Sequence, residues 1–102
     1  MRIYVAGKYS APTTIDVLNN IHDGIKASVE IIRQGHSVFC PWLDHQFHFF
    51  DKTITKEEYQ RNSMAWVEVA DEVWVLPNSE NSGGTQREIA RAKELGIPVK
   101  FL

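Results

Sequence analysis

Four short apolar runs alternate with longer stretches of helical period along the 102-residue chain. Ile3-Tyr4-Val5-Ala6 is β-branched and aromatic and stops at Gly7, which predicts a buried strand. Ser37-Val38-Phe39-Cys40 (stopped by Pro41), Glu72-Val73-Trp74-Val75-Leu76 (stopped by Pro77) and Ile97 to Leu102 predict three more. Between the first two, Ile15, Leu18, Ile21, Ile25, Val29 and Ile32 recur at steps of three and four, the mark of an amphipathic helix, and Gly35 stands where its C-terminal cap belongs. A second helix opens at the capping box Thr55-x-x-Glu58 and carries Tyr59, Ser63, Trp66, Val67 and Ala70 on one face. Ile89, Ala92 and Leu95 mark a third, closed by Gly96. Residues 41–54 are aromatic and His-rich and show no clear period.

The order β-α-β-α-β-α-β, with strands that are continuous apolar runs, predicts a parallel sheet covered by helices on both faces. With right-handed crossovers this is a single α/β domain over 1–102: a small doubly wound parallel sheet, Rossmann-like or flavodoxin-like, of four to five strands. In that architecture ligands bind beyond the carboxyl ends of the strands. Those ends are residues 7–10, 41–48 and 78–84, so chemistry is to be sought in three loops.

Composition narrows the classes. With 43% hydrophobic and 24% charged residues the chain reads as one soluble domain. Eleven Lys+Arg against thirteen Asp+Glu give a net charge of -2, which argues against a nucleic-acid polymer as partner. A lone cysteine, Cys40, excludes an internal disulfide framework and a multi-cysteine zinc site. No apolar run approaches the roughly 18 residues of a membrane span. The chain opens directly on a strand rather than a signal-peptide core, so the expectation is a cytoplasmic protein that does not engage a membrane. Trp42, Phe47 and Phe49 are expected to be exposed on so small a sheet, and therefore to be covered by a second copy in a homo-oligomer.

The most informative stretch is Ser82-Gly83-Gly84-Thr85-Gln86-Arg87-Glu88. Two glycines at a helix start leave backbone N–H groups open, and with the helix dipole they favour an anion or a sugar hydroxyl. Glu88 lies one turn further on. Thr85-x-x-Glu88 also reads as a capping box, in which Glu88 only closes the helix start. In the middle loop, Asp44, His45 and His48 offer too few firm ligands for a metal, and neither a metal nor a cofactor is expected. Either histidine could serve as a general acid. The aromatics around them could stack a base, roof the sheet or meet a subunit.

Taken together, Ser82-x-Gly84-Thr85-x-x-Glu88-Ile89-x-x-Ala92 followed by Gly96-Ile97-Pro98-Val99 resembles the nucleoside 2-deoxyribosyltransferase superfamily, which includes the deoxynucleoside-monophosphate N-glycosidases. Ile3-Tyr4-Val5-Ala6-Gly7 resembles its first strand and loop, and Ala70-Asp71-Glu72-Val73-Trp74-Val75-Leu76 its third strand. The resemblance spans nearly the whole chain. It implies a domain that cleaves or exchanges the N-glycosidic bond of a small-molecule nucleoside or nucleotide, with Glu88 as nucleophile and Tyr4 orienting it. Ser82 matches the serine of the monophosphate-using branch, where the nucleoside-using branch has an acid, which points to a 5′-phosphate. Gly84, Gly7, Lys8 and Ser10 would line the same ligand. The enzymatic branches carry an aspartate eight residues before the strand-entrance Asp71. Here that position is Ser63, with Asn62 beside it, and neither is an acid. Asn62, Ser63, His45 and His48 are then the candidates to face the leaving base. The alternative is a nucleotide-binding module of this fold without turnover; a structural protein that merely retains the fold is a third reading, against which Tyr4 and Glu88 both count.

Overall fold

Strand β1, Arg2–Ala6, buries four residues in a row: Ile3, Tyr4, Val5 and Ala6 are each at most 1% exposed. Only a central strand of a sheet covered on both faces can do this. The computed structural model describes all 102 residues and shows the cover. Helix α1, Thr14–Arg33, crosses to strand β2, Ser37–Phe39. A 3-10 turn at Pro41–Leu43 runs into a short helix α2, Asp44–Phe50, and then α3, Lys56–Val67. Strand β3, Glu72–Val75, helix α4, Gly83–Glu94, and strand β4, Val99–Phe101, complete the chain. The sheet has four strands in the order β2-β1-β3-β4, all parallel. This is the doubly wound, flavodoxin-like order, with its switch point between β1 and β3.

The period of two along β1 and β3 sorts the core into two layers. Tyr4, Ala6, Val73 and Val75 meet Val67 of α3 and Ile89 and Ala92 of α4. Ile3, Val5 and Trp74 meet Ile21 and Ile31 of α1 and the indole of Trp42. Gly35 and Gly96, with φ of +93° and +71°, end α1 and α4 where the left-handed conformation is needed to leave the helix.

Several expectations are corrected. The edge strands β2 and β4 are half-buried to exposed, because nothing pairs with their outer edges, so only β1 and β3 are buried on both faces. The second strand ends at Phe39 and the last spans only Val99–Phe101. Residues 41–50 are helical rather than irregular. Trp42 is not exposed but 1% accessible, its Nε1 donating to the Lys8 carbonyl at 3.0 Å. The face that α1 turns to the sheet is not the large-apolar stripe. It buries Asn20, Ile21, Gly24, Ser28 and Ile31 and leaves Ile15, Leu18, Val29 and Ile32 outside. The cause is Trp42. A methyl group at Gly24 would lie 2.0 Å from the indole, so the helix approaches only through its small residues. No helix is long and apolar enough to cross a membrane.

Candidate functional site

Ser82 is the N-cap of α4. Its Oγ accepts from the Thr85 N–H at 3.2 Å and from the Thr85 hydroxyl at 2.9 Å. The cap therefore lies three residues earlier than Thr85, and Glu88 has no capping role. Instead Glu88 projects from the second turn of α4 onto β1, where its Oε2 accepts a hydrogen bond from the Tyr4 hydroxyl. Tyr4 is fully buried, and its ring stacks on Phe39 at 5.4 Å, which stacks on Trp66 at 5.4 Å. The phenol is thereby held in one place, and so is the carboxylate it touches.

Burial raises the Glu88 pKa to about 7. The Tyr4 hydrogen bond and the Arg87 charge oppose that rise, and the Asp44 charge adds to it. Tyr4 is pushed well above its ordinary value, first by burial and then by the Glu88 charge, with the Ser63 hydroxyl acting the other way. Glu88 thus sits near the switch point as a carboxyl that ionises near neutrality beside one oriented donor, and its ionised form can attack or stabilise a positive carbon.

Of the other sequence-derived candidates, Ser63 is brought in: it is 8% exposed and close enough to act on the Tyr4 phenol. Asn62, its neighbour, is exposed. Ser82 and Gly84 form the open start of α4, one turn before Glu88. Gly7 lies under Trp42, where an added methyl would meet the indole at 2.9 Å, so packing alone requires glycine there. The Lys8 N–H donates to the buried Ser79 hydroxyl at 3.2 Å and ties the first and third loops together. The Lys8 side chain lines a cleft of about 310 Å³ with Asn20, Asp23, Lys26 and Glu30 of α1, a place that does not include Glu88. Ser10 is exposed before α1. His45 donates from Nδ1 to the Trp42 carbonyl at 2.7 Å. His48 is exposed, its ring 6.5 Å from that of Tyr59. Asp44, His45 and His48 do not gather as a metal-ligand set.

Three groups stand in the site that the sequence reading did not place there. Arg87 reaches back over the α4 start; a methyl at Gly83 would lie 3.4 Å from its guanidinium, so a cation flanks the open N–H groups. Tyr59, one helical turn before Ser63, has a buried hydroxyl with no partner. The charge of Asp44, at the start of α2, is felt by Tyr4, Tyr9, Tyr59 and Glu88. The i, i+4 step from Tyr59 to Ser63 was readable in the sequence. The position of Asp44 was not, because it depends on the turn made by buried Trp42.

The parallel sheet in the order 2-1-3-4 defines a flavodoxin-like α/β domain, and a buried, tyrosine-oriented glutamate packs on its central strand β1. The chain belongs to the DUF4406 family, described as a domain of unknown function, which matches residues 1–101. Its fold is similar to that of a 2-deoxyribosyltransferase from the psychrotolerant bacterium Bacillus psychrosaccharolyticus, with a TM-score of 0.74 and 20% identity over 99% of this chain and 71% of that one. No curated protein matches.

Proposed function

We propose that the protein cleaves or transfers the N-glycosidic bond of a (deoxy)nucleoside 5′-monophosphate or nucleoside, with Glu88 as the nucleophile. One observation carries this reading: Glu88 has no capping role and is held by a fixed tyrosine on the central strand of a fold shared with a 2-deoxyribosyltransferase. Breaking the bond from the anomeric carbon to the base builds positive charge on that carbon. A carboxylate beside it stabilises the charge and can capture it as a glycosyl ester. Water then completes hydrolysis, or a second base completes transfer. The phosphate would rest on the N–H groups at Gly83 and Gly84 and on Arg87, with Ser82 supplying the cap that holds those groups open. Since Glu88 releases its proton near pH 7, the ionised nucleophile accumulates as pH rises through that value.

A nucleotide-binding module without turnover is the second reading, favoured by Ser63, which offers a hydroxyl where an acid would protonate the leaving base. Incubation with a panel of nucleosides and 5′-monophosphates separates the two. Released base together with free sugar or sugar phosphate is expected. Ligand-induced thermal stabilisation with no base released from any member would leave only the binding module.

The proposal includes self-association. On α1 the exposed residues Ile15, Leu18, His22, Val29 and Ile32 lie along one side of the helix. The apolar members are placed symmetrically about the middle of the helix, so an antiparallel second copy sets 15 against 32 and 18 against 29. A cytoplasmic place of action fits the free thiol of Cys40.

A further inference from the structure

The base that leaves must take a proton or depart as an anion, and Ser63 cannot give one at neutral pH. The structure offers another donor. Asp44 opens α2 directly after the 3-10 turn that Trp42 anchors, and its carboxylate has no hydrogen-bond donor and no ion-pair partner. Its charge is felt by Glu88 on α4, Tyr4 on β1, Tyr9 in the following loop and Tyr59 on α3, and one turn further along α2 the His48 ring lies 6.5 Å from that of Tyr59, which sets this side of α2 against α3. The Tyr59 hydroxyl there is buried and also without a partner. An unpaired carboxyl and an unpaired phenol thus stand together beside an oriented glutamate. Groups left open in this way suit a ligand that brings its own donors and acceptors, as a nucleobase edge does.

We propose that Asp44 is the general acid of the glycosidic reaction, replacing in this chain the acid that position 63 lacks. This rests on Glu88 being the nucleophile. In the first step a Glu88 oxygen bonds to the anomeric carbon, and the pair of the breaking C–N bond goes to the base nitrogen. The Asp44 proton passes to the base, which leaves neutral. In the second step the Asp44 carboxylate takes a proton from water, the hydroxide oxygen bonds to the same carbon, and Glu88 is released as a carboxylate. The proton is back on Asp44 and the cycle is balanced. The reactive form carries one proton, on Asp44, with Glu88 ionised. Burial lifts both carboxyls, Asp44 to about 6 and Glu88 to about 7, so both titrate near neutrality and the reactive arrangement, with the proton on Asp44, is the less populated of the two singly protonated forms. His45 and His48 are less well placed: the Nδ1 proton of His45 is held by the Trp42 carbonyl, and His48 stands one turn further along α2 from its Trp42-anchored start and is exposed.

The test compares leaving groups. For whichever base the wild type releases, the substrate is paired with an analogue whose base departs with little or no protonation: an N7-methylpurine for a purine, a 5-fluoropyrimidine for a pyrimidine. Asp44→Asn is expected to lower release of the ordinary base about 10²- to 10⁴-fold and release from the activated analogue less than about tenfold. Retained activity on the analogue also shows that the variant is folded. Equal losses on both substrates, or no loss on either, overturn the assignment of Asp44 while leaving Glu88 as nucleophile in place. Glu88→Gln is expected to lose both activities. A wild type that releases base from neither substrate overturns the glycosidic reading and the role of Asp44 with it.

Discussion

Glu88 holds a proton that an exposed glutamate would release, and this sets its effect on stability. Its pKa stands at about 7 in the fold against 4.5 as a free side chain. Below pH 4.5 it is protonated folded or unfolded and contributes nothing to the difference. Above pH 7 the unfolded chain gains by ionising a water-exposed carboxyl, so the fold is weakened by up to roughly 3 kcal/mol. Glu88→Gln is therefore expected to leave the denaturation midpoint unchanged at pH 4 and to raise it at pH 8, while abolishing base release. A cap residue would behave the other way, with loss of stability and persistence of turnover. Glu88 and Tyr4 were legible in the sequence because their motif and strand sit at fixed spacings. The capping alternative could be removed only by seeing Ser82 take the cap. Asp44 was visible only as one member of an aromatic, histidine-rich stretch. Its neighbours come from β1, α3 and α4, and no local spacing encodes a meeting of that kind.

Among the elements, α1 shows why period alone is ambiguous. Its sequence carries two stripes at helical spacing, one of large apolar residues and one of small residues with Ile21 and Ile31, and hydrophobicity favours the first. Trp42 selects the second, since its indole fills the space that any side chain at position 24 would need. Gly24→Ala is expected to cost about 1–3 kcal/mol, or more where the indole cannot shift, read from the denaturant midpoint at constant slope. The start of α4 carries the second expectation at this scale. Asp caps a helix as well as Ser does, so Ser82→Asp keeps α4 but sets a negative charge beside the open N–H groups. The wild type is expected to bind a 5′-monophosphate roughly tenfold or more tighter than the nucleoside, from one or more charge-assisted hydrogen bonds. Ser82→Asp is expected to reverse that order. Equal affinities in the wild type, measured by calorimetry on the matched pair, would mean that the loop is a helix cap only.

At the scale of the molecule, the alternation of strands and helices was enough to specify a parallel doubly wound sheet, because every crossover has one favoured hand. What it left open was which surfaces remain uncovered. Phe47, Phe49 and Phe50 of α2 are indeed more than half exposed, and α1 leaves Ile15, Leu18, Val29 and Ile32 uncovered as well. In light scattering the wild type is expected to exceed the 11.7 kDa of one chain, and Leu18→Glu with Val29→Glu to return it to that mass. A wild-type mass of one chain at every concentration would contradict the self-association.

If Glu88 attacks the anomeric carbon, a glycosyl ester forms on its carboxylate and can be trapped. A 2′-fluoro-arabinosyl analogue of a substrate that the wild type turns over slows release of the glycosyl ester, because the fluorine destabilises the positive charge on which that release depends. Mass spectrometry of the intact protein is expected to show one added sugar (or sugar phosphate) per chain, and peptide mapping to place it on Glu88, with no adduct in Glu88→Gln. An adduct on another residue, or undiminished base release by Glu88→Gln, would contradict attack by Glu88.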